Sequence, residues 1–306
     1  MVDTTPTAPR TTTRDEARTV TTRPVRLPFD ASIPKRWLAD SSTATQLSNG
    51  VNLLFPFGER FFVRSVKHYL EQLKAQGDDE LVAQIRGFFG QEGRHAREHE
   101  RFFEILRGQG YELDEFLTRF EGSFTRLEKL FPAEYHLAAT AAGEHFTALM
   151  AANAFRDRPF LDQADPIMRD LMLWHAAEEI EHKAVAFDVL TRVVPNPLKR
   201  YFVRVTGMAV AATFLAYWWI EATRMLAEQD GTTWEEFRAD GARVQKLRRE
   251  LGIGERRIGR DVFLRGIVSY LRPDFHPWDD DDGHLAEEFL KDFEARRLAR
   301  REEEVA

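Results

Sequence analysis

The sequence predicts an all-α protein, a four-helix bundle followed by additional C-terminal helices. Two observations carry this expectation. From about Val51 onward the apolar residues recur every three to four positions, the spacing of one helix face, and not every second position as in a strand. Gly and Pro clusters of the hairpin kind are few, and several prolines and glycines fall where they would open or close helices. At 306 residues, 43% hydrophobic and 30% charged, the chain is long enough to bury a sizeable core.

The first helix follows Pro56, aligns Glu59, Phe62, Val63, Val66, Leu70 and Leu73 on one face, and stops at Gly77. The second starts at Asp78 and Asp79, whose short carboxylates suit an N-cap. It runs past Leu106 with Ile85, Phe89, Glu92, His95, His99, Phe102 and Leu106 in one stripe. After a short segment from Phe124 to Phe131, Pro132 opens a third helix with Leu137, Ala141, Glu144, Ala148 and Ala151 on its face. Pro166 opens a fourth, which places Leu171, His175, Glu178, Glu179, His182, Val185, Val189 and Val193 near one stripe until Pro195 ends it. Further helices are expected over 234–251 and 261–271. The run Asp279 to Asp282 reads as a solvated acidic loop capping a helix from His284.

Residues 1–25 are rich in Thr, Arg and Pro without an apolar run, and are expected to form a disordered tail. Residues 26–283 would then be one helical domain, with the bundle at about 50–195 and extra helices at about 197–283. Residues 284–306 read as a charged C-terminal helix or tail. The first 25 residues also lack the apolar segment of a secretory signal, so a cytoplasmic location is expected. The net charge of −7 argues against nucleic acid as a partner. With no cysteine, thiol nucleophiles, disulfides and sulfur-ligated metals are excluded, and any metal must sit on nitrogen and oxygen.

Ionisable residues occupy the inner stripe of all four helices, where Leu or Val would be expected. A buried carboxylate must be protonated or find a cation, and four of them together repel. Two divalent ions would balance Glu59, Glu92, Glu144 and Glu179. Residues three apart on a helix lie on neighbouring turns of one face, so Glu92 with His95 and Glu179 with His182 can each approach one ion pair. His175, one turn before Glu179, extends the second pair as a further metal ligand. Glu178 is an alternative to Glu179, Glu181 reads as solvated or supporting, and His99 reads as a hydrogen-bond partner behind a ligand. His145 points away from Glu144 and reads as an inter-helix contact.

The order Glu59, Glu92-x-x-His95, Glu144, Glu179-x-x-His182 resembles the ferritin-like diiron-carboxylate superfamily over roughly residues 50–195. The His175-x-x-x-Glu179-x-x-His182 arrangement is similar to that of the p-aminobenzoate and arylamine N-oxygenases. The segments Phe55-Pro56-Phe57-Gly58-Glu59-Arg60, Glu178 to Lys183 and Arg272 to Trp278 resemble the bacterial family labelled predicted metal-dependent hydrolases. The first resemblance implies a ferritin-like bundle binding two metal ions, iron before manganese or zinc. Glu92 and Glu179 would bridge, Glu59 and His95 would hold one ion, and Glu144, His175 and His182 the other. It implies dioxygen activation and oxidation of an amine or C–H bond of a small apolar or aromatic substrate. The third implies hydrolysis by metal-activated water, and a non-catalytic metal-binding protein is a further alternative. No Gly-rich nucleotide motif follows a strand, so an oxygenase would need an external electron donor.

The uncharged run Val205–Ile220 is shorter than the about 20 residues of a bilayer span. A buried helix against the bundle is the expectation. Membrane-surface contact through 205–220, a homodimer interface and a lipid-like substrate channel stand as alternatives.

Overall fold

The computed structural model describes residues 19–254 and 258–305, with the side chains of the last helix described as far as Arg296. Regular structure among these residues is helical, apart from one isolated bridge between Leu38 and Ala164. In chain order the helices are α1 (Ser42–Asn52), α2 (Phe55–Lys67), α3 (Leu70–Ala75), α4 (Asp79–Gly108), α5 (Asp114–Leu130), α6 (Ala133–Arg156) and α7 (Arg158–Leu161). They continue with α8 (Pro166–His182), α9 (Val185–Val193), α10 (Pro197–Gln229), α11 (Trp234–Glu250), α12 (Arg265–Tyr270) and α13 (Gly283–Val305). A π-helical stretch, Ile258–Leu264, leads into α12.

The expected bundle is α2, α4, α6 and α8. Helix α2 packs along α4 and α6 along α8, and the pairs meet through α2 on α6 and α4 on α8. Local signals start these helices as expected. The Asp78 carboxylate accepts from the Leu81 N–H at the head of α4, and Asp165 accepts from Ile167 and Met168 ahead of Pro166 at the head of α8. Helix α8 is buried around nearly its whole circumference, as the most central helix of a core must be.

The first expected helix is two. The helix is interrupted at His68–Tyr69, and α3 packs on α4. The fourth also divides, at Lys183–Ala184. The fully buried Lys183 ammonium donates to the Asp280 carbonyl and the Asp282 carboxylate. The acidic run is therefore not wholly solvated, because Asp282 is buried with Lys183 as its cation. Helix α13 docks on α8 through Ala286, Phe289, Leu290 and Phe293. Helix α1 had no apolar stripe to announce it, since its core-facing positions are polar. Gln46 donates to the Tyr111 hydroxyl at 2.7 Å, and Asn49 accepts from the Trp37 indole at 2.8 Å.

Two further expectations need correction. Residues 19–25, assigned to a disordered tail, are packed across the bundle with Val20, Arg23 and Val25 buried. The chain passes so close to α4 that a Cβ at Gly87 would lie 2.1 Å from the Val20 carbonyl oxygen, and one at Gly90 would lie 2.0 Å from Thr22 Oγ1. Two glycines on one helix face thus make room for the strap. The rest of the expected tail, residues 1–18, lies outside the described residues. The second correction concerns Val205–Ile220, which is not a buried helix. Helix α10 packs one face on α6 and α1, with Gly207 against Ala138, while Phe202, Tyr217 and Ile220 on its other side are 64%, 51% and 65% exposed. By length and composition alone, α10 could cross a membrane.

Candidate metal centre

The bundle brings Glu59, Glu92, His95, Glu144, His175, Glu179 and His182 into one buried cluster. Two subsets are close enough to hold an ion each. Glu59, His95, His175 and Glu179 offer ligand atoms within 4.8 Å of one another, as do Glu92, Glu179 and His182. Glu179 belongs to both. His182 Nε2 lies 3.2 Å from Glu92, 3.3 Å from Glu144 and 3.5 Å from Glu179. At the other end His175 Nε2 lies 2.8 Å from Glu179 and 3.4 Å from Glu59. His95 Nδ1 sits between the ends, 3.8 Å from Glu179 and 4.0 Å from Glu92.

This grouping revises the place of His175, which was expected beside Glu144 and His182. At about 1.5 Å of rise per residue, seven residues separate His175 from His182 by roughly 10 Å along α8. They therefore reach opposite ends of the cluster, and His175 joins Glu59 and His95.

Each histidine has a partner on its far nitrogen. His95 Nε2 meets Glu178 Oε2 at 3.0 Å, His175 Nδ1 meets His99 Nε2 at 2.7 Å, and His182 Nδ1 meets Gln91 Oε1 at 2.8 Å. Glu178 thus stands behind His95, outside both subsets, and not in place of Glu179. His99 likewise stands behind His175. The amide of Gln91 donates to Glu181 and the Thr21 carbonyl, so its oxygen must accept from His182 Nδ1–H, turning Nε2 toward the carboxylates. Arg23 from the N-terminal strap joins these supports, donating to Glu181 at 2.6 and 2.8 Å and to Glu178 at 3.3 Å. Sequence reasoning missed Gln91 and Arg23. Gln91 lies one turn before His95, where a stripe signal existed, but Arg23 has partners about 155 residues away and no local signal could find it. His145 contacts the Gly266 carbonyl at 3.0 Å, between α6 and α12.

Electrostatics show what the cluster lacks. Burial, reinforced by the neighbouring carboxylates, drives Glu59 and Glu92 well above the ordinary carboxylate range, and burial lifts Glu144 to about 7. Glu179 goes the other way despite its burial, because His182 and His175 hold its charged form. Burial holds His95 and His99 well below the usual histidine value. His182 is held above it despite burial, by Glu179 and Glu144. Without a metal, protons must substitute for cations in the cluster.

The atoms left without a hydrogen-bond partner include both oxygens of Glu59, Glu92 and Glu144, along with Glu179 Oε2, His95 Nδ1 and His182 Nε2. Buried polar atoms rarely go unsatisfied in a folded protein. Here they converge, and their nitrogen and carboxylate chemistry suits a hard or borderline divalent metal. The residues present therefore fit the metal that the pattern implies.

Comparison with known proteins agrees at the family level. No curated protein and no solved structure matches the chain. A family model described as predicted metal-dependent hydrolase matches residues 21–281, beginning in the strap that carries Arg23 and ending in the acidic run that holds Lys183. With most of its length matched, the chain belongs to the predicted metal-dependent hydrolase family.

Proposed function

We propose that this protein is a dinuclear metal enzyme that uses dioxygen to oxidise a small organic substrate, with iron as the metal. Glu59, His95 and His175 would hold one ion, Glu144 and His182 the other, and Glu92 and Glu179 would lie between them. The observation that carries this reading is the pair of His/Glu subsets sharing Glu179, both buried. The seven-residue set from four helices resembles the diiron-carboxylate arrangement of ferritin-like bundles. Bound ferrous iron would supply electrons to dioxygen, which a filled-shell metal such as zinc does not.

The chain's own residues do the positioning. Gln91, Glu178 and His99 fix the imidazole orientations, and the carboxylates would balance the charge of bound ions. In a hydroxylation, one C–H bond becomes C–OH and the second oxygen atom leaves as water. The balance requires two electrons and two protons from an external reductant.

Hydrolysis is the second reading, favoured by the family's description, and would need only a Lewis acid to activate water. A paired metal swap separates the two. On the oxygenase reading, anaerobic protein loaded with ferrous iron consumes dioxygen when air is admitted, and the zinc-loaded protein does not. Cleavage of ester or amide substrates by the zinc form, with a ferrous form inert to dioxygen, would replace it with hydrolysis.

A further inference from the structure

We infer that the substrate group admitted to this centre is a hydrocarbon chain, held in an apolar cavity of which Glu59 is both a wall and the link to the cluster. The inference rests on the reading of that cluster as a metal centre. The cavity measures about 90 Å³ and lies between α2, α5, α6 and α10. Its walls include Phe61, Phe62, Phe120, Phe124, Phe146 and Phe214. Beside the cluster its wall is Phe55, whose ring lies 4.3 Å from that of His175 and 4.8 Å from that of His99. The cavity and the candidate ligands are therefore in direct contact.

The chemistry of the lining selects the ligand. Apart from Glu59, the one lining side chain with a polar atom is Thr147, and its hydroxyl already donates to the Glu144 carbonyl at 3.0 Å. An amine, alcohol or acid placed among the phenylalanines would give up its bonds to water and gain none. A chain of methylenes loses nothing and gains burial.

The shape points the same way. A second, smaller crevice of about 20 Å³ shares Phe61, Leu127, Ala139 and Val210 with the cavity and reaches Phe131, Tyr135 and His136. Because this continuation is apolar as well, a hydrocarbon chain fits inside and any polar head group stays outside the lining. Such a chain can come from a free fatty acid or from a bilayer lipid. Helix α10 supplies Val210, Ala211, Phe214 and Leu215 to the wall while exposing Phe202, Tyr217 and Ile220 on its outer side.

The test uses the full chain without metal, so that it does not depend on turnover. An anthroyloxy-labelled stearate is titrated into the protein and then displaced with palmitate or with phosphatidylcholine vesicles. Saturable binding of about one probe per chain is expected. Displacement by soluble palmitate identifies the free acid as the source, and displacement by vesicles alone identifies bilayer chains. No saturable binding, or displacement by neither competitor, overturns the inference. Gly58 lines the cavity, and a Cβ built there meets nothing within 4 Å, so Gly58→Leu projects into the space while favouring helix. This variant, and Ala211→Phe on the facing wall, should each weaken probe binding at least tenfold with helix content and metal uptake unchanged. Equal affinity in wild type and both variants also overturns the inference. Metal uptake without chain binding would sink this inference alone, whereas chain binding without metal uptake would sink the metal reading instead.

Discussion

Glu178 Oε2 lies 3.0 Å from His95 Nε2, and both side chains are fully buried. The adjacent Glu179 carboxylate instead faces both subsets of the cluster. One residue of sequence, about 100° of helix rotation, thus separates a carboxylate that orients a histidine from one aimed at the metal positions. Removing the orienting partner should weaken metal binding without abolishing it. For Glu178→Gln we expect a loss of roughly 10- to 100-fold in metal affinity, read by competition with a chromophoric chelator. An unchanged affinity would show that His95 needs no such partner.

Glu179→Ala should remove both metals, because this carboxylate belongs to both subsets. His175→Ala should affect chiefly the end shared with Glu59 and His95. Elemental analysis after reconstitution under limiting metal is expected to give no bound metal for the first variant and about one ion per chain for the second. Helix content should remain near that of wild type in both, since the apolar packing around the cluster stays intact. A full complement of two ions in His175→Ala would remove that residue from the ligand set.

Arg23 joins the N-terminal strap to Glu178 and Glu181 and, through Glu181, to Gln91 behind His182. Its loss would leave Glu181, both of whose oxygens accept from it, without its cation, and Glu178 without a buried donor. We expect Arg23→Ala to destabilise the fold by about 3 kcal/mol and also to weaken metal binding, because supports of both His95 and His182 loosen. Urea unfolding of the metal-free protein gives the first quantity and chelator competition the second. A stability loss with metal affinity unchanged would confine Arg23 to holding the strap.

The metal-free protein should lose stability as pH rises from neutral to mildly alkaline. Burial lifts Glu144 to about 7 and Glu178 to about 8, and raises Glu59 and Glu92 well above 4.5. Above their ordinary value these groups keep protons in the folded chain that the unfolded chain has already released, so stability falls as they titrate. His182, raised by Glu179 and Glu144 despite burial, acts in the same direction. His95 and His99, lowered by burial, act oppositely, but only below about 6.5, where unfolded histidine gains a proton. Thermal midpoints followed by circular dichroism should therefore fall between about pH 6.5 and pH 8.5 without metal. Bound metal, which replaces the protons, should remove or reverse the fall. A metal-free midpoint that rises over this range would contradict the assigned burial of the carboxylates.

The sequence by itself determined the helical class and the residues that the bundle gathers at its centre. Both follow from information confined to a few turns of chain. Apolar residues every three or four positions define a face, Asp78 and Asp165 set helix starts, and Glu92 with His95 or Glu179 with His182 repeat a spacing that only a helix turns into a shared direction. Where local information was silent, the reading went astray. Helix α1 had polar core-facing residues, α10 turned only one side to the bundle, and the strap at residues 19–25 had no apolar run.

Tertiary structure alone decided which end of the cluster His175 joins, that Glu178 supports His95, and that Arg23 closes the network across about 155 residues. It also decided that phenylalanines from α2, α5, α6 and α10 enclose one cavity against Glu59. The physical reason is range. Helix propensity and face are set by neighbours a few residues apart, whereas a hydrogen bond or a cavity wall depends on where distant segments cross, which only packing of the whole chain fixes.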